Sequence, residues 1–280
     1  MRARLPKHFV LEEHLERYAD AIEVSAPSWR GRWARACWPL DRRGSGDTGA
    51  FDAVHLDLGC GKGPFLAAMA ERHPNTLFIG MDNEPICIAY AAQLICERGL
   101  SNALLAPGTA ANLNAFFAPG ELAGIYINFP TPFPKRRDAH RRIITADHLD
   151  RYRPLLSPGG TVTLRTDSQP LFDYAIPQFD AAGWNALWIS RDDRSDHPDT
   201  PLSGYERRLS AQGATVNALC ATPGNAPDAN KVAAARDLPQ SLYDYLPDDL
   251  FAGGYIPHGM SYGITNLRNQ RLRAQRQRRA

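Results

Sequence analysis

Residues 54–64, Val-His-Leu-Asp-Leu-Gly-Cys-Gly-Lys-Gly-Pro, decide the fold. The apolar start of this stretch predicts a buried β-strand, and Gly59, Gly61 and Gly63 then allow a tight turn. Pro64 suits the first position of a helix, because proline lacks the N–H that would have no partner there. A strand, a glycine turn and a helix in this order predict a site for a nucleotide or nucleoside at the helix N-terminus.

Strand-like and helix-like patterns alternate from residue 51 onward. They predict strands at 54–58, 77–81, 103–106, 124–129, 161–166, 185–190 and 214–221, and helices at 64–72, 85–98, 146–156 and 171–182. Gly99 ends the second of these helices, and Ser-Pro-Gly-Gly at 157–160 predicts a turn. Repeated β-α units indicate an α/β fold with a mostly parallel, seven-stranded sheet and helices on both faces. The last two strands have no long helix between them, so one strand is expected to be antiparallel.

Three segments follow from this pattern. Residues 1–50 form an N-terminal arm with a short helix at 11–21 and a boundary at the Gly/Ser-rich turn 43–47. Residues 51–221 form the α/β domain. Residues 222–280 form a C-terminal extension, which five prolines interrupt and which is expected to be partly disordered.

The composition is that of an ordinary globular protein, with 44% hydrophobic and 22% charged residues. No apolar run approaches the roughly 18 residues of a membrane span, and no apolar segment follows the basic N-terminus, so we expect a cytoplasmic protein without a membrane partner. The five cysteines lack a C-x-x-C pair, which favours reduced thiols and predicts no metal site.

The net charge of +2 conceals two basic clusters. Residues 264–280 contain six arginines and no acid, which leaves the rest of the chain at −4. Residues 135–142 contain five positive charges and one negative charge. Such clusters can neutralise phosphates, although solvated faces and disordered tails explain many charge runs.

Asp82 follows the second strand, 19 residues after Gly63, where a carboxylate can accept hydrogen bonds from ribose hydroxyls; a helix cap is the alternative. This arrangement resembles the S-adenosylmethionine-binding half of the Rossmann-like methyltransferases. The resemblance implies that Asp57 holds the methionine ammonium and Asp82 the ribose. It implies the following set of cofactor-binding residues: Asp57, Gly59, Gly61, Gly63, Asp82, Thr109 and Asn128.

The fourth predicted strand leads into Phe-Pro-Thr-Pro-Phe-Pro-Lys at 129–135. Ligands of open α/β sheets bind beyond the carboxyl ends of the strands, so this segment is expected to face the methyl donor. Its alternating prolines would stiffen a loop that clamps a substrate. The alternative is a proline-rich connection followed by a solvated basic segment.

Five separated motifs make the resemblance closer. They are Arg2-x-Arg4, the glycine turn, the basic run ending Arg141-Arg142-Ile143, Thr166-Asp167, and Ser203-Gly204-Tyr205-Glu206-x-Arg208. Over residues 1–221 the chain resembles the bacterial tRNA (guanine-N7)-methyltransferase family. The resemblance implies transfer of a methyl group from S-adenosylmethionine to N7 of guanosine 46 in the variable loop of tRNA.

The same resemblance assigns the substrate side. It places Ser203, Tyr205 and Glu206 at the guanosine, although Ser203 and Glu206 also match a capping box. Phosphate contacts are expected from the basic cluster, namely Lys135, Arg136, Arg137, Arg141 and Arg142. Binding of tRNA should then weaken steeply with salt.

Thr131 departs from the family, whose proposed catalytic aspartate in the proline-rich loop it replaces. Guanine N7 already presents a lone pair, so no general base is required. A carboxylate would still bind the N1–H and N2–H₂ edge and stabilise the developing cation, whereas Thr131 offers only a neutral hydrogen bond. We therefore take Thr131 and Asp167 as the candidate catalytic residues, with Glu206 as the alternative to Asp167.

Two other functions fit the same residues. The chain could be a tRNA-binding homologue whose catalysis was weakened or lost with Thr131, or a methyltransferase for another RNA or a small molecule. Thr109 or Asn112 would replace an acidic residue that the family usually has near the adenine amino group. His55 and Cys60 are expected to be packing residues.

Overall fold

The predicted strand, glycine turn and helix are present in a computed structural model, which describes residues 9–35, 51–252 and 254–279. The strand spans Ala53–Leu58, and the helix spans Pro64–Arg72 with Gly63 at its N-cap. The motif Arg2-x-Arg4, the turn at 43–47 and Cys37 lie outside the described residues.

Seven strands form one sheet. They are β1 Ala53–Leu58, β2 Thr76–Met81, β3 Ala103–Leu105, β4 Leu122–Asn128, β5 Leu156–Thr166, β6 Trp184–Ser190 and β7 Asn217–Pro223. Their order in the sheet is β3-β2-β1-β4-β5-β7-β6. β1 pairs in parallel with β2 and β4, with Asp57 opposite Gly80 and Tyr126. β6 and β7 are antiparallel, which confirms the expected antiparallel strand.

The α-helices are α1 Leu11–Arg17, α2 Pro64–Arg72, α3 Pro85–Arg98, α4 Leu113–Phe116, α5 Ala146–Tyr152, α6 Gln169–Ala181, α7 Asp193–Asp196, α8 Gly204–Ser210, α9 Ala229–Asp237 and α10 Ser261–Arg279. The predicted bounds of α2 and α3 are confirmed, and Gly99 ends α3 with φ 62°. Of the helices within the described ranges, none has the length and apolar character to cross a membrane.

The chain divides into two compact units. The first comprises Met1–Asn128, Tyr152–Val162 and Pro201–Ser203, and the second comprises Phe129–Arg151, Thr163–Thr200 and Gly204–Ala280. In the first unit, Leu66 of α2 and Ile95 of α3 belong to one buried apolar cluster with Phe78 of β2 and Leu105 of β3. Full burial of such a Leu, Ile or Phe side chain stabilises the fold by about 1.5–3 kcal/mol.

Two predicted boundaries around β5 are wrong. The expected helix 146–156 ends at Tyr152, because Pro154 cannot continue the α-helical hydrogen bonding and a short 3₁₀ turn replaces it. The expected turn at 157–160 is part of β5, which begins at Leu156. Gly159 takes φ 78° there, so the glycine accommodates an irregularity inside the strand and does not reverse the chain.

The expected helix at 11–21 is also shorter than predicted. α1 ends at Arg17, and a separate 3₁₀ turn covers Ala19–Ala21. The segment after β7 contains α9 and α10, which the sequence did not predict, because its prolines lie outside these helices. Asp228 caps α9 by accepting a hydrogen bond from the amide of Asn230 at 2.8 Å.

The extension packs against residues of its own compact unit. Gln178 on α6 donates a hydrogen bond to the carbonyl of Ala235 at 3.2 Å, and the Tyr174 hydroxyl donates to Gln240 Oε1 at 3.3 Å. These contacts join α9 and the residues after it to α6.

Candidate active site

The three glycines after β1 have different structural roles. Gly59, Gly61 and Gly63 have φ values of 82°, 56° and 79°, which side chains with a Cβ rarely adopt. A Cβ on Gly63 would lie 2.9 Å from the Cβ of Ala91, so Gly63 permits α2 to approach α3. A Cβ on Gly59 or Gly61 would meet no atom of the described chain within 4 Å. The turn therefore presents open backbone beside the end of β1.

Asp57 and Asn128 form a buried polar pair at the ends of β1 and β4. Asp57 is 1% exposed, and Asn128 Nδ2 donates a hydrogen bond to its Oδ1 at 3.2 Å. Among the described residues, Asp57 Oδ2 and Asn128 Oδ1 have no hydrogen-bond partner. Burial raises the pKa of Asp57 from 3.8 to about 7, and the Asn128 hydrogen bond only partly opposes this rise. Two buried acceptors without donors fit a cationic ligand group.

Asp82 fastens the glycine turn to the end of β2. Its Oδ2 accepts a hydrogen bond from the amide of Gly61 at 2.9 Å, and its Oδ1 accepts one from the amide of Glu84 at 2.9 Å. Each carboxylate oxygen has a second lone pair, so Asp82 retains acceptor capacity for a ligand hydroxyl.

Thr109 and Asn112 form a local capping box. Asn112 Oδ1 accepts from the Thr109 amide at 2.9 Å, and Thr109 Oγ1 accepts from the Ala111 amide at 3.3 Å. Both acceptors expected at the adenine amino group are therefore engaged within the same turn of chain.

The proline-rich loop has unusual backbone angles at both ends. Phe129 and Phe133 have φ values of 51° and 44°, in the region that favours glycine. β4 ends at Asn128 and not at the predicted residue 129, because Phe129 leaves the extended conformation. The Phe129 amide donates to the carbonyl of Arg165 at 2.7 Å. Such strained residues persist where surrounding contacts fix them, often at functional sites.

Arg142 supplies those contacts at the other end of the loop. Its guanidinium donates hydrogen bonds to the carbonyls of Pro132 at 3.1 Å, Phe133 at 2.8 Å and Gln240 at 2.8 Å. It also lies 4.5 Å from the ring centre of Tyr174. Because Arg142 is 1% exposed, the predicted phosphate contact is wrong for this residue, which instead holds the proline-rich loop.

The other members of the basic cluster are exposed, namely Lys135, Arg136, Arg137 and Arg141. Arg137 lies 3.7 Å from the carboxylate of Asp138, and Arg141 lies over the ring of Phe133 at 4.2 Å. Exposed guanidinium and ammonium groups beside the proline-rich loop remain available to phosphates.

A pocket of about 240 Å³ opens beside the proline-rich loop. Its lining comprises Phe129, Pro130, Thr131, Pro132, Asp167, Ser168, Tyr205 and His258. The Tyr205 ring packs edge-on against Phe129 at 5.3 Å, and burial raises the pKa of its hydroxyl to about 12, so it is a neutral donor. Both predicted catalytic residues, Thr131 and Asp167, therefore line one pocket.

Glu206 lies in a separate, buried ion-pair network. It is 0% exposed, and its carboxylate accepts from Arg165 at 3.2 Å and from Arg194 at 2.5 Å. Arg165 also donates to Asp193 at 2.5 Å. Ser203, just before α8, is buried as well. The network fixes β5 to α8 and leaves Glu206 outside the lining of the Thr131 pocket.

The sequence did not indicate His258, which lines the pocket, or Tyr255, which contacts a pocket residue from outside this lining. Tyr255 donates a hydrogen bond to Asp167 Oδ2 at 2.5 Å, and His258 lines the pocket directly. No motif marks either residue, since both lie in the irregular chain between α9 and α10. The one signal in the sequence is Thr131, which stands where the family has an aspartate. Its presence suggests that other residues supply the missing polar contacts.

Two expectations for packing residues agree with the structure. His55 stacks on Tyr126 at 5.6 Å, and burial lowers its pKa to about 4, so it is neutral at physiological pH. Burial raises the pKa of the Cys60 thiol, which opposes a role as nucleophile. Among the residues that the structure covers, no cluster of His, Cys, Asp or Glu is arranged to hold a metal ion.

The sheet order and the open glycine turn define a Rossmann-like methyltransferase, and residues 52–219 match a family described as "Putative methyltransferase". A crystal structure of a 16S rRNA methyltransferase, KamB, has the same fold, with a TM-score of 0.50 and 18% identity; the match covers 62% of this chain and 89% of that chain.

The names of similar proteins indicate a narrower class of methyltransferase than the family description does. The tRNA (guanine-N(7)-)-methyltransferases of Geobacillus thermodenitrificans and Geobacillus kaustophilus are 37% and 34% identical over 203 residues, covering 72% of this chain and 89% and 88% of theirs. The chain belongs to the tRNA (guanine-N7)-methyltransferase family.

Proposed function

We propose that the chain transfers a methyl group from S-adenosylmethionine to N7 of a guanine in tRNA, at guanosine 46 of the variable loop. The observation that carries this proposal is the similarity, at up to 37% identity, to tRNA (guanine-N(7)-)-methyltransferases over nearly their whole length. A tRNA substrate is consistent with a cytoplasmic protein.

The residues at the ends of β1, β2 and β4 fit the cofactor. S-adenosylmethionine, when bound, supplies an electrophilic methyl group on a positively charged sulfur. The unpartnered oxygens of Asp57 and Asn128 would accept the ammonium of its methionine portion. Asp82 would accept a ribose hydroxyl, and the open backbone at Gly59 and Gly61 leaves space for a ligand. Gly63 would contribute through its packing against Ala91, and Thr109 Oγ1, which accepts one hydrogen bond, keeps a lone pair for the adenine amino group.

Chemistry at guanine N7 demands little proton transfer. With S-adenosylmethionine bound, the N7 lone pair would accept the methyl group while the sulfur leaves as a neutral thioether, so the positive charge would pass to the purine. No side chain has to remove a proton, so positioning of N7 in line with the methyl group supplies much of the rate. A carboxylate near the purine would stabilise the charge that arrives there.

Asp167 is our choice for that carboxylate. It lines the same pocket as Thr131 and is 9% exposed, whereas both oxygens of Glu206 are bound by arginines. Asp167 would accept hydrogen bonds from guanine N1–H and N2–H₂, and Thr131 would add a neutral hydrogen bond. Tyr205 is suited to contact the same base with its ring.

The exposed part of the basic cluster would bind the tRNA backbone, with Lys135, Arg136, Arg137 and Arg141 opposite phosphates. Such contacts position a folded RNA without selecting a base, which leaves the choice of guanine to the pocket.

An assay with two transcripts tests the proposed function. Purified protein is incubated with labelled S-adenosylmethionine and either an unmodified tRNA or the same tRNA with adenosine at position 46, and nucleosides are then separated. We expect 7-methylguanosine from the first transcript alone. Binding of tRNA without transfer would instead support the homologue with lost catalysis, and methylation of another nucleoside would support a different methyltransferase.

A further inference from the structure

The chain between α9 and α10 supplies one lining residue of the Thr131 pocket and one hydrogen-bond partner of Asp167. Its Tyr255 contacts Asp167, and its His258 lines the pocket together with Thr131 and Tyr205. The family match ends at residue 219, so Tyr255 and His258 lie outside the matched region. Family membership therefore does not account for the positions of Tyr255 and His258.

Tyr255 controls the carboxylate of Asp167. Within the described residues, Tyr255 is the side chain that donates a hydrogen bond to Asp167, and the distance is 2.5 Å. Burial and the Asp167 charge raise the pKa of the Tyr255 hydroxyl, so it remains a donor.

The segment that carries these groups is fixed at both ends. Before it, Leu250 and Phe251 have φ values of 52° and 58°, and Arg268 on α10 donates hydrogen bonds to both carbonyls, at 2.6 Å and 2.5 Å. After it, Met260 is 0% exposed, and its sulfur lies 3.9 Å from Ser168 Oγ. Tyr255 and His258 are thus presented on an anchored segment.

We propose that Tyr255 and His258 complete the guanine pocket. Tyr255 is a positioning residue that orients the Asp167 carboxylate toward the N1–H and N2–H₂ edge, and His258 contacts the base. The inference rests on the proposed function, because it assigns these residues to the same pocket. It also explains how a chain with Thr131 keeps an oriented carboxylate at the base.

A double-mutant cycle tests the role of Tyr255. If Tyr255 acts through Asp167, Tyr255→Phe lowers kcat about tenfold in the wild-type chain and by less than about twofold in Asp167→Asn, because the cycle isolates the coupling. The KM for tRNA should change little, because Tyr255 acts on the orientation of Asp167 and does not itself contact the RNA. The dissociation constant for S-adenosylmethionine should stay the same.

Tyr262→Phe is the matched control, because Tyr262 on α10 is 80% exposed.

His258→Ala removes an exposed side chain, and we expect the KM for tRNA to rise several-fold with kcat retained. Equal losses from Tyr255→Phe in both backgrounds, or no loss in either, would overturn the role of Tyr255. An unchanged KM in His258→Ala would overturn the base contact. A wild-type chain without 7-methylguanosine product would instead refute the proposed function.

Discussion

Asp57 is a buried carboxylic acid with one hydrogen-bond donor beside it. Its pKa of about 7 means that the ligand-free protein is partly protonated at this site near neutral pH. A bound ammonium would favour the ionised form, so ligand binding and ionisation of Asp57 should be coupled.

We expect the affinity for S-adenosylmethionine to fall roughly tenfold for each pH unit below about 7, because the ligand binds the ionised carboxylate. Calorimetric titration across this range measures the effect. Asp57→Asn should bind weakly, with little dependence on pH. A wild-type affinity that stays constant between about pH 5 and about pH 7 would contradict the assignment.

The same residue makes a prediction for stability. A raised pKa in the folded state contributes stability below the usual pKa of 3.8, and this contribution is lost as the pH rises through about 7. Ligand-free Asp57→Asn should therefore be more stable than wild type at about pH 8, by up to about 4 kcal/mol in urea unfolding. Asp52→Asn, at an exposed position just before β1, is the control. It should change neither the affinity for S-adenosylmethionine nor the free energy of unfolding.

Single residues also mark how far the sequence can be interpreted. The sequence identifies the glycine turn and Asp57 because their roles depend on neighbours along the chain. Arg142 and Arg141 are adjacent residues of the same type, yet one is buried and the other exposed. That difference depends on the carbonyl of Gln240, about a hundred positions away, which no local pattern reveals.

At the scale of elements, β5 and α8 are joined by a charge network in the protein interior. Arg165 bridges Asp193 and Glu206, and Arg194 adds a second positive charge at Glu206. Two cations and two carboxylates balance there, so removal of one charge leaves another without compensation.

Glu206→Gln should therefore lower the free energy of unfolding by about 3–5 kcal/mol, as for other broken buried pairs. Urea denaturation measures the change. Glu71→Gln is the control, because Glu71 pairs with Arg98 at 2.9 Å on the surface, where such pairs contribute about 0–1 kcal/mol. Loss of activity without loss of stability in Glu206→Gln would return Glu206 to the guanosine site.

Elements with strong local signals were predicted well. Pro64 and Gly99 mark the ends of α2 and α3 because both act through their own backbone. The helices after β7 were missed, since α9 is stabilised by contacts with α6 that are distant in sequence. The sequence predicts Thr131 and Asp167 at the site because both belong to local motifs. It does not predict Tyr255 and His258, which belong to no motif and reach the site through contacts distant in sequence.

At the scale of the whole molecule, the chain concentrates positive charge in two segments. In the tail, however, Arg268 and Arg271 donate to backbone carbonyls at 248–251, so part of this charge supports the fold. Arg273 is exposed and remains available to phosphates. Binding of tRNA should depend on the exposed arginines of the 135–142 cluster.

We expect Arg136→Ala and Arg137→Ala each to weaken tRNA binding and to reduce the slope of log K against log salt by about 1. Filter binding over a range of salt concentrations measures this slope. Arg98→Ala, which removes a surface arginine paired with Glu71, is the control and should leave it unchanged. An affinity that does not vary with salt would exclude the phosphate contacts.

The central claim is that Asp167, and not residue 131, supplies the carboxylate that stabilises the guanine during methylation. The most direct test compares methylation of an unmodified tRNA by the wild-type chain and by Asp167→Asn. We predict 7-methylguanosine from the wild type and about a hundredfold lower kcat in Asp167→Asn, a loss typical of one electrostatic group, with the affinity for S-adenosylmethionine retained. A wild-type chain that forms no 7-methylguanosine, or an Asp167→Asn chain as fast as the wild type, would contradict it.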